Sequence, residues 1–313
     1  MTERLVMGLT MLAGCLMLGT LLAYAVRRRA AGGERDFYVA GGRLGGILSA
    51  LTYAATTYST FMIVGLVGFA YTTGIGALGF ELVYYIATVG LLIVLARKVR
   101  RLASQKGWVS PGEMLGDLYG SRAVAAIASI VFLVSLIPYA ASQLKGIGEA
   151  VAGLAGGSES WYLLGVLIAV LVMIVWSLLA GIWSVAVTDA FQGLWMLLSA
   201  TLLLLWLIST LARGGLGLSE AWSILESTGH LGLTDFWKPL VFLAFTIPWA
   251  FFAVTNPQVV QRLFLPRDDS STATMIRGFA VFGLYYTLLV VAIGLLAKSG
   301  VEAGVLGINP ESI

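Results

Sequence analysis

Ser49 to Gly74 reads SALTYAATTYSTFMIVGLVGFAYTTG. At about 1.5 Å per residue, a helix of this length crosses the hydrocarbon of a bilayer. Its first half is nonetheless crowded with hydroxyls. Ser49, Thr52, Thr56, Ser59 and Thr60 fall at i, i+3, i+7, i+10 and i+11, so one helix face gathers them. In hydrocarbon such a stripe is unfavourable unless it meets protein, water or a ligand. Two readings stay open. The hydroxyls bridge to neighbouring helices while Gly65 and Gly68 allow close backbone packing. Alternatively, the stripe lines a midplane site for a cation and a small polar solute.

Composition sets the surroundings of this helix. Of 313 residues, 59% are hydrophobic and 11% charged, and the mean hydropathy is +0.92. A soluble chain of this size needs far more charge to cover its surface. The expected class is therefore all-α, a polytopic membrane protein embedded in a lipid bilayer. The pI near 9.0 reflects Lys and Arg in short inter-span segments, which suits anionic lipid better than nucleic acid. Cys15 is the single cysteine and His230 the single histidine. An intrachain disulfide is excluded, and a His-based metal site or catalytic triad has almost nothing to build on. No GxxxxGK[ST] phosphate loop occurs. An enzyme is not expected, and neither is a cofactor.

Eight transmembrane helices are expected, at about 5–26, 44–72, 77–96, 123–151, 161–179, 184–211, 236–260 and 275–296. With the first span ending inside, the inner segments hold Arg27, Arg28, Arg29, Arg35, Arg43, Arg97, Lys98, Arg100, Arg101, Lys106, Arg122, Arg262, Arg267 and Arg277. Those are 14 of the 19 basic residues. The asymmetry predicts a multi-pass protein of the cell (cytoplasmic) membrane with its N-terminus outside.

Three further features carry chemistry. The seventh span, TIPWAFFAVTNPQVVQR, is expected to be interrupted at Pro248 and again at Asn256-Pro257. Two interrupted helices five spans apart suggest a five-helix repeat. Asp189, five residues past Ser184, sits roughly 7 Å into the membrane if the sixth span enters there. It reads as functional, or as a carboxylate reaching interfacial water and bonded to Thr188 or Gln192. Glu81 opens the third span, where a solvated acid at a helix N-terminus is the simpler reading. Lys145 and Glu149 are spaced for an interfacial ion pair.

DFYVAGGRLGG, ATTYSTFMIVGLVGFAYTTG, AGIWSVAVTDAFQG and NPQVVQR, in this order and spacing, resemble the sodium:solute symporter family. That group includes sodium-coupled proline, pantothenate, sialic acid and sugar carriers. The resemblance implies the leucine-transporter type of fold: a leader helix, then two inverted five-helix repeats. Mapped here, residues 1–43 are the leader helix and basic cytoplasmic loop, 44–212 the first repeat, and 213–313 two helices of the second. It implies sodium-coupled symport of a small proline-, pantothenate- or sugar-like solute by alternating access. Sodium, the coupling ion, would meet the backbone carbonyls of Ala55 and Tyr58 where the second span unwinds, with Ser59 beside them. Thr57 stands where the proline carriers have an acidic residue. Asp189 matches an aspartate linked to the ion's inward exit, and Thr56, Glu81 and Asn256 are the implied solute contacts. The chain would stop after the leader and core helices one to seven. Two rival expectations are a transporter-fold sensor module and an inactive truncated fragment.

Overall fold

The structure, a computed structural model, describes residues 3–30 and 33–307. The described elements are helical, with one isolated bridge pairing Leu44 and Pro266. In chain order the α-helices are α1 (Glu3–Ala25), α2 (Glu34–Val39), α3 (Gly46–Thr57), α4 (Val67–Thr73), α5 (Gly76–Lys106), α6 (Pro111–Leu118) and α7 (Arg122–Leu154). They continue with α8 (Glu159–Ala180), α9 (Ile182–Arg213), α10 (Leu218–Ser227), α11 (Pro239–Ala250), α12 (Phe252–Thr255), α13 (Pro257–Arg262) and α14 (Asp269–Glu302). Among the described residues seven helical stretches are long and apolar enough to cross a membrane, and up to eight if the broken pair Gly46–Thr57 and Phe61–Thr73 counts as one span. Several extend past the expected ends, because amphipathic Lys and Arg stems continue a helix into the interface. Thus α5 runs on to Lys106 and α14 begins at Asp269. The expected final segment reaches 313, of which 308–313 lie outside the described residues.

The chain forms two compact units. The first takes the residues up to Thr57, Leu92–Gly193 and Val254–Gly278; the second takes Tyr58–Leu91, Leu194–Ala253 and the chain from Phe279. The first unit is packed through small residues. On α7 and α8, Gly148 lies under the Tyr162 ring and Gly165 against Val151, so the two backbones approach closely. The leader α1 lays Gly19 against Trp176, whose Nε1 donates to Thr20 Oγ1 at 3.0 Å. A Cβ on Gly278 would come 2.6 Å from that of Ala50, so α14 can lie this close to α3 only with glycine there. Leu44 N donates to Leu265 O at 2.9 Å and Arg267 N returns a bond to Leu44 O at 3.0 Å, tying the entry of α3 to the exit of α13.

The second unit is packed through rings. Tyr58 stacks on Phe279 and Phe282 with centroids 5.6 and 6.0 Å away. Phe69, Trp237, Phe245 and Phe80 form a contiguous edge-and-face cluster. The Thr73 carbonyl, freed at the end of α4, accepts from both Thr234 Oγ1 and Trp237 Nε1 at 3.0 Å.

Two expectations need correction. Pro248 does not interrupt its span: it sits inside α11, and the helix ends two residues later at Ala250. Neighbouring helices can absorb the lost backbone donor. The breaks fall at Phe251 and at Asn256, whose Oδ1 accepts from Gln258 N at 3.1 Å and Val259 N at 3.4 Å to start α13. Lys145 and Glu149 form no ion pair among the described residues, both being exposed and free to reach outward separately. As the resemblance implies, the second span unwinds within the hydroxyl stripe. The helix lapses at Tyr58 and Ser59, and the chain resumes as a π-helical turn, Phe61–Leu66.

Candidate functional site

In the first unit, Ser49 and Thr52 are fully buried on α3, with Thr56 one turn further on. α9 presents Asp189 to this face. Thr52 Oγ1 donates to Asp189 Oδ2 at 2.6 Å, and Thr56 Oγ1 approaches the same oxygen at 3.5 Å. The third contributor is Arg262, the last residue of α13. Its Nη2 lies 3.3 Å from Asp189 Oδ2, while its Nε points between Thr52 Oγ1 at 3.2 Å and Thr56 Oγ1 at 3.1 Å. Side-chain exposures of 8% for Arg262 and 16% for Asp189 place the pair away from bulk water. Each threonine accepts from the guanidinium and donates to the carboxylate, so the network is neutral and internally bonded.

Arg262, counted among the inner-segment cations, is not solvated there: α13 buries it, 7% exposed, against Asp189. The expected local partners of Asp189 are replaced too. Thr188 Oγ1 turns back to Ser184 O at 3.0 Å, and the acid is held across helices. The signal for Arg262 was present: a membrane acid without a nearby base, and an arginine two residues past the apolar pair Val259-Val260. Beside Asp189 opens a cavity of about 400 Å³, mostly apolar, lined among others by Leu16, Val151, Val172, Thr188 and Gln192.

The remaining sequence-derived residues fall at three further places. Ala55 lies in the last turn of α3, where helical carbonyls lose their intrahelical donors. Tyr58 and Ser59 are the non-helical residues that follow. Ser59 Oγ accepts from Phe61 N at 3.3 Å, and Ser59 O accepts from Met62 N at 3.0 Å, so Ser59 starts the π-helical turn. Such π turns concentrate at functional positions. Thr57 is buried and spends its hydroxyl on Tyr53 O at 2.7 Å. Asn256 caps α13, leaving its amide nitrogen for other use.

Glu81 overturns the expectation of a solvated helix N-terminus. It is 1% exposed on α5, and its Oε1 has no hydrogen-bond partner. The reason is that α5 begins at Gly76 against Trp237, so its first turns are covered by aromatic rings. On the same helix Thr88, two turns on and fully buried, also leaves its Oγ1 without a partner.

Comparison with known proteins bears on these residues. The model of the Sodium:solute symporter family matches residues 37–311. The chain belongs to the sodium:solute symporter family. Among curated relatives, the sodium/pantothenate symporter of Escherichia coli (strain K12) is 27% identical over 274 residues, 84% of this chain and 55% of that protein. Sodium/proline symporter 2 of Staphylococcus saprophyticus is 24% identical over 184 residues, 57% of this chain and 35% of that protein. The chain thus spans about half the length, or less, of the curated relatives it matches. A solved structure of a Na+-coupled sialic acid symporter, described as substrate-bound and outward-open, superposes with a TM-score of 0.79 at 19% identity. It covers 96% of this chain and 63% of that one. The all-helical, leucine-transporter-like membrane fold is therefore shared.

Proposed function

We propose that this chain carries the first half of the ion and solute pathway of a sodium-coupled symporter, which moves a small organic solute by alternating access. The observation that supports it most is the lapse of the polar helix at Tyr58–Ser59. A sodium ion entering low dielectric needs several oxygens to replace its hydration. Carbonyls at a broken helix supply them without burying a net charge, which is how transporter sites near the midplane are built. On this reading Ala55 and Tyr58 offer carbonyl oxygens to sodium, with Ser59 alongside. Asp189, held by Arg262 and Thr52, lies on the ion's way inward. Thr56, Glu81 and Asn256 face the solute. The relatives point to solutes of the pantothenate or proline kind, and a sugar-like solute is the third candidate.

The same reading assigns residues 1–43 to a leader, 44–212 to the first repeat and the chain from 213 to the second. The N-terminus is outside and the Arg97–Lys106 end of α5 cytoplasmic, since positive segments resist translocation. The test is uptake into proteoliposomes with and without an inward sodium gradient, for proline, pantothenate and sugars. In a full-length carrier that contains this chain, gradient-dependent uptake of at least one is expected, and Asp189→Asn should weaken its sodium dependence more than its folded yield. Uptake indifferent to sodium would overturn the proposal.

A further inference from the structure

We infer that the cavity beside Asp189 binds a neutral amphiphile drawn from the bilayer, an unbranched apolar chain ending in one hydroxyl. The site lies within the first unit and stands on its own geometry, whether or not the chain carries sodium or solute.

Four helices wall the cavity. Leu12 and Leu16 come from α1, Val151 from α7, and Val172 and Trp176 from α8, while α9 supplies the polar end. At about 400 Å³ it falls within the range of small-molecule sites, about 300–1,000 Å³. Ile147 and Met173 also line it, and both are exposed, so its mouth is apolar. A ligand that passes such a mouth comes from hydrocarbon more readily than from water. Trp176 already gives its Nε1 to Thr20 Oγ1 at 3.0 Å, which leaves the ring alone for contact.

The polar groups in the lining are few and unsatisfied. The bonds to Asp189 from Thr52, Thr56 and Arg262 all end on Oδ2. Its Oδ1 accepts no hydrogen bond from the described residues. Gln192, one turn further along α9, makes no hydrogen bond among the described residues, and neither does the side chain of Ser177 on α8. Both line the same cavity as Asp189. In hydrocarbon, polar atoms left bare are costly, so the occupant has to bring a donor. An acyl chain brings none. A cation is not called for: Arg262 at 3.3 Å already balances the acid, and the apolar walls would strip the ion of its water. A hydroxyl on an apolar chain meets every condition. Its O–H donates to Asp189 Oδ1, its oxygen accepts from the Gln192 amide, and its chain covers Leu16, Val151 and Val172.

The probe is octan-1-ol carrying a diazirine on its chain, set against its O-methyl ether, which keeps the chain and loses the donor. Each is photolysed with the purified chain in phosphatidylcholine nanodiscs, and labelled peptides are quantified by mass spectrometry. The alcohol should label α8 around Val172 saturably, and about threefold or more above the ether, the ratio expected of one net hydrogen bond. Gln192→Leu should bring the alcohol down towards the ether. Ala169→Phe, which fills the cavity from α8, should remove the labelling by both. Ile130 and Leu133, exposed on α7 and outside the cavity lining, are the lipid-facing reference and should label alike with both probes. Should Gln192→Leu fold poorly, the alcohol-to-ether ratio in the unaltered chain carries the test. Equal, unsaturable labelling by the two probes overturns the inference and leaves an acyl chain as the occupant. Alcohol labelling that disappears when sodium chloride replaces choline chloride also overturns it and makes the polar end an ion site. Labelling that survives Ala169→Phe places the probe elsewhere and overturns it as well.

Discussion

Asp189 and Glu81 are both carboxylates on membrane-spanning helices, and the protein treats them in opposite ways. Asp189 receives Thr52 at 2.6 Å and Arg262 at 3.3 Å. Glu81 is more deeply covered and receives no hydrogen bond at Oε1. A paired acid in a low-dielectric site is a fixture: its charge is spoken for, and moving it means breaking a network. An acid left without a counter-ion is costly while charged, so it holds its proton or waits for a partner. Burial alone therefore does not mark a binding residue. The two acids differ in whether a counter-ion is in place.

The comparison breaks most directly at Arg262. Arg262→Leu should strand Asp189 and destabilise the protein by about 3–5 kcal/mol, read by thermal unfolding in detergent. Adding Asp189→Leu to that background should recover most of the loss, since replacing a whole buried pair by apolar groups is close to neutral. A double variant as unstable as the single would show that the pair is not the reason.

Glu81 should answer in the opposite direction. Glu81→Met removes a buried polar atom without a partner and keeps the length of the stem, so ligand-free stability should rise by about 1–3 kcal/mol. Solute binding should be lost in the same variant. A fall in stability like that of the Arg262 variant would mean that Glu81 has a structural partner after all and would erase the contrast.

Asn256 tests a smaller difference, between capping and contact. Asn256→Ala should cost about 1 kcal/mol through the lost cap of α13. Asn256→Asp should keep the cap, because its carboxylate oxygen can take the same two backbone N–H groups. If Asn256 also touches the solute, Asn256→Asp will transport poorly at normal stability. Full uptake by Asn256→Asp would confine the residue to its cap.

Much of this was legible in the amino-acid order. The apolar runs marked the spans, because length and hydropathy are local properties. The hydroxyls of Thr52 and Thr56 marked a polar face, and Asp189 marked an expensive charge. What the sequence could not supply was who meets whom. Arg262 looked like an inner-segment cation just past the expected end of its span at 260, yet α13 runs two residues further and buries it. Glu81 looked solvated because it opens a helix, yet the rings of Trp237 and Trp249 that cover that end come from more than 150 residues downstream. Pro248 looked like a break, although membrane helices absorb such losses through their neighbours. Each error is a tertiary partner outweighing a local rule.

A third carboxylate, outside the membrane, sharpens the comparison from the other side. Asp268 precedes α14, and its Oδ1 accepts the Ser271 N–H at 2.7 Å, while Arg267 Nε reaches Oδ2 at 3.2 Å. The backbone N–H of Ser271, followed by its side chain and Arg267, holds the Asp268 carboxyl below its ordinary range. The sign is that of a depressed acid: its contribution is fully present above the unfolded-state value and is lost as pH falls through the lower folded-state value. The side chain is half exposed, at 50%, so solvent screens the effect and it should be the smallest of the four. Asp268→Asn keeps an oxygen for the cap and removes the titration. The wild-type protein should therefore lose its margin over Asp268→Asn as the medium is acidified below the ordinary aspartate range, when the two are compared by thermal unfolding. Subtracting the variant removes the titration of the other acids. A margin that is flat through that window would mean that the cap holds Asp268 equally well with its proton on, and that only the buried acids of this protein distinguish charge from shape.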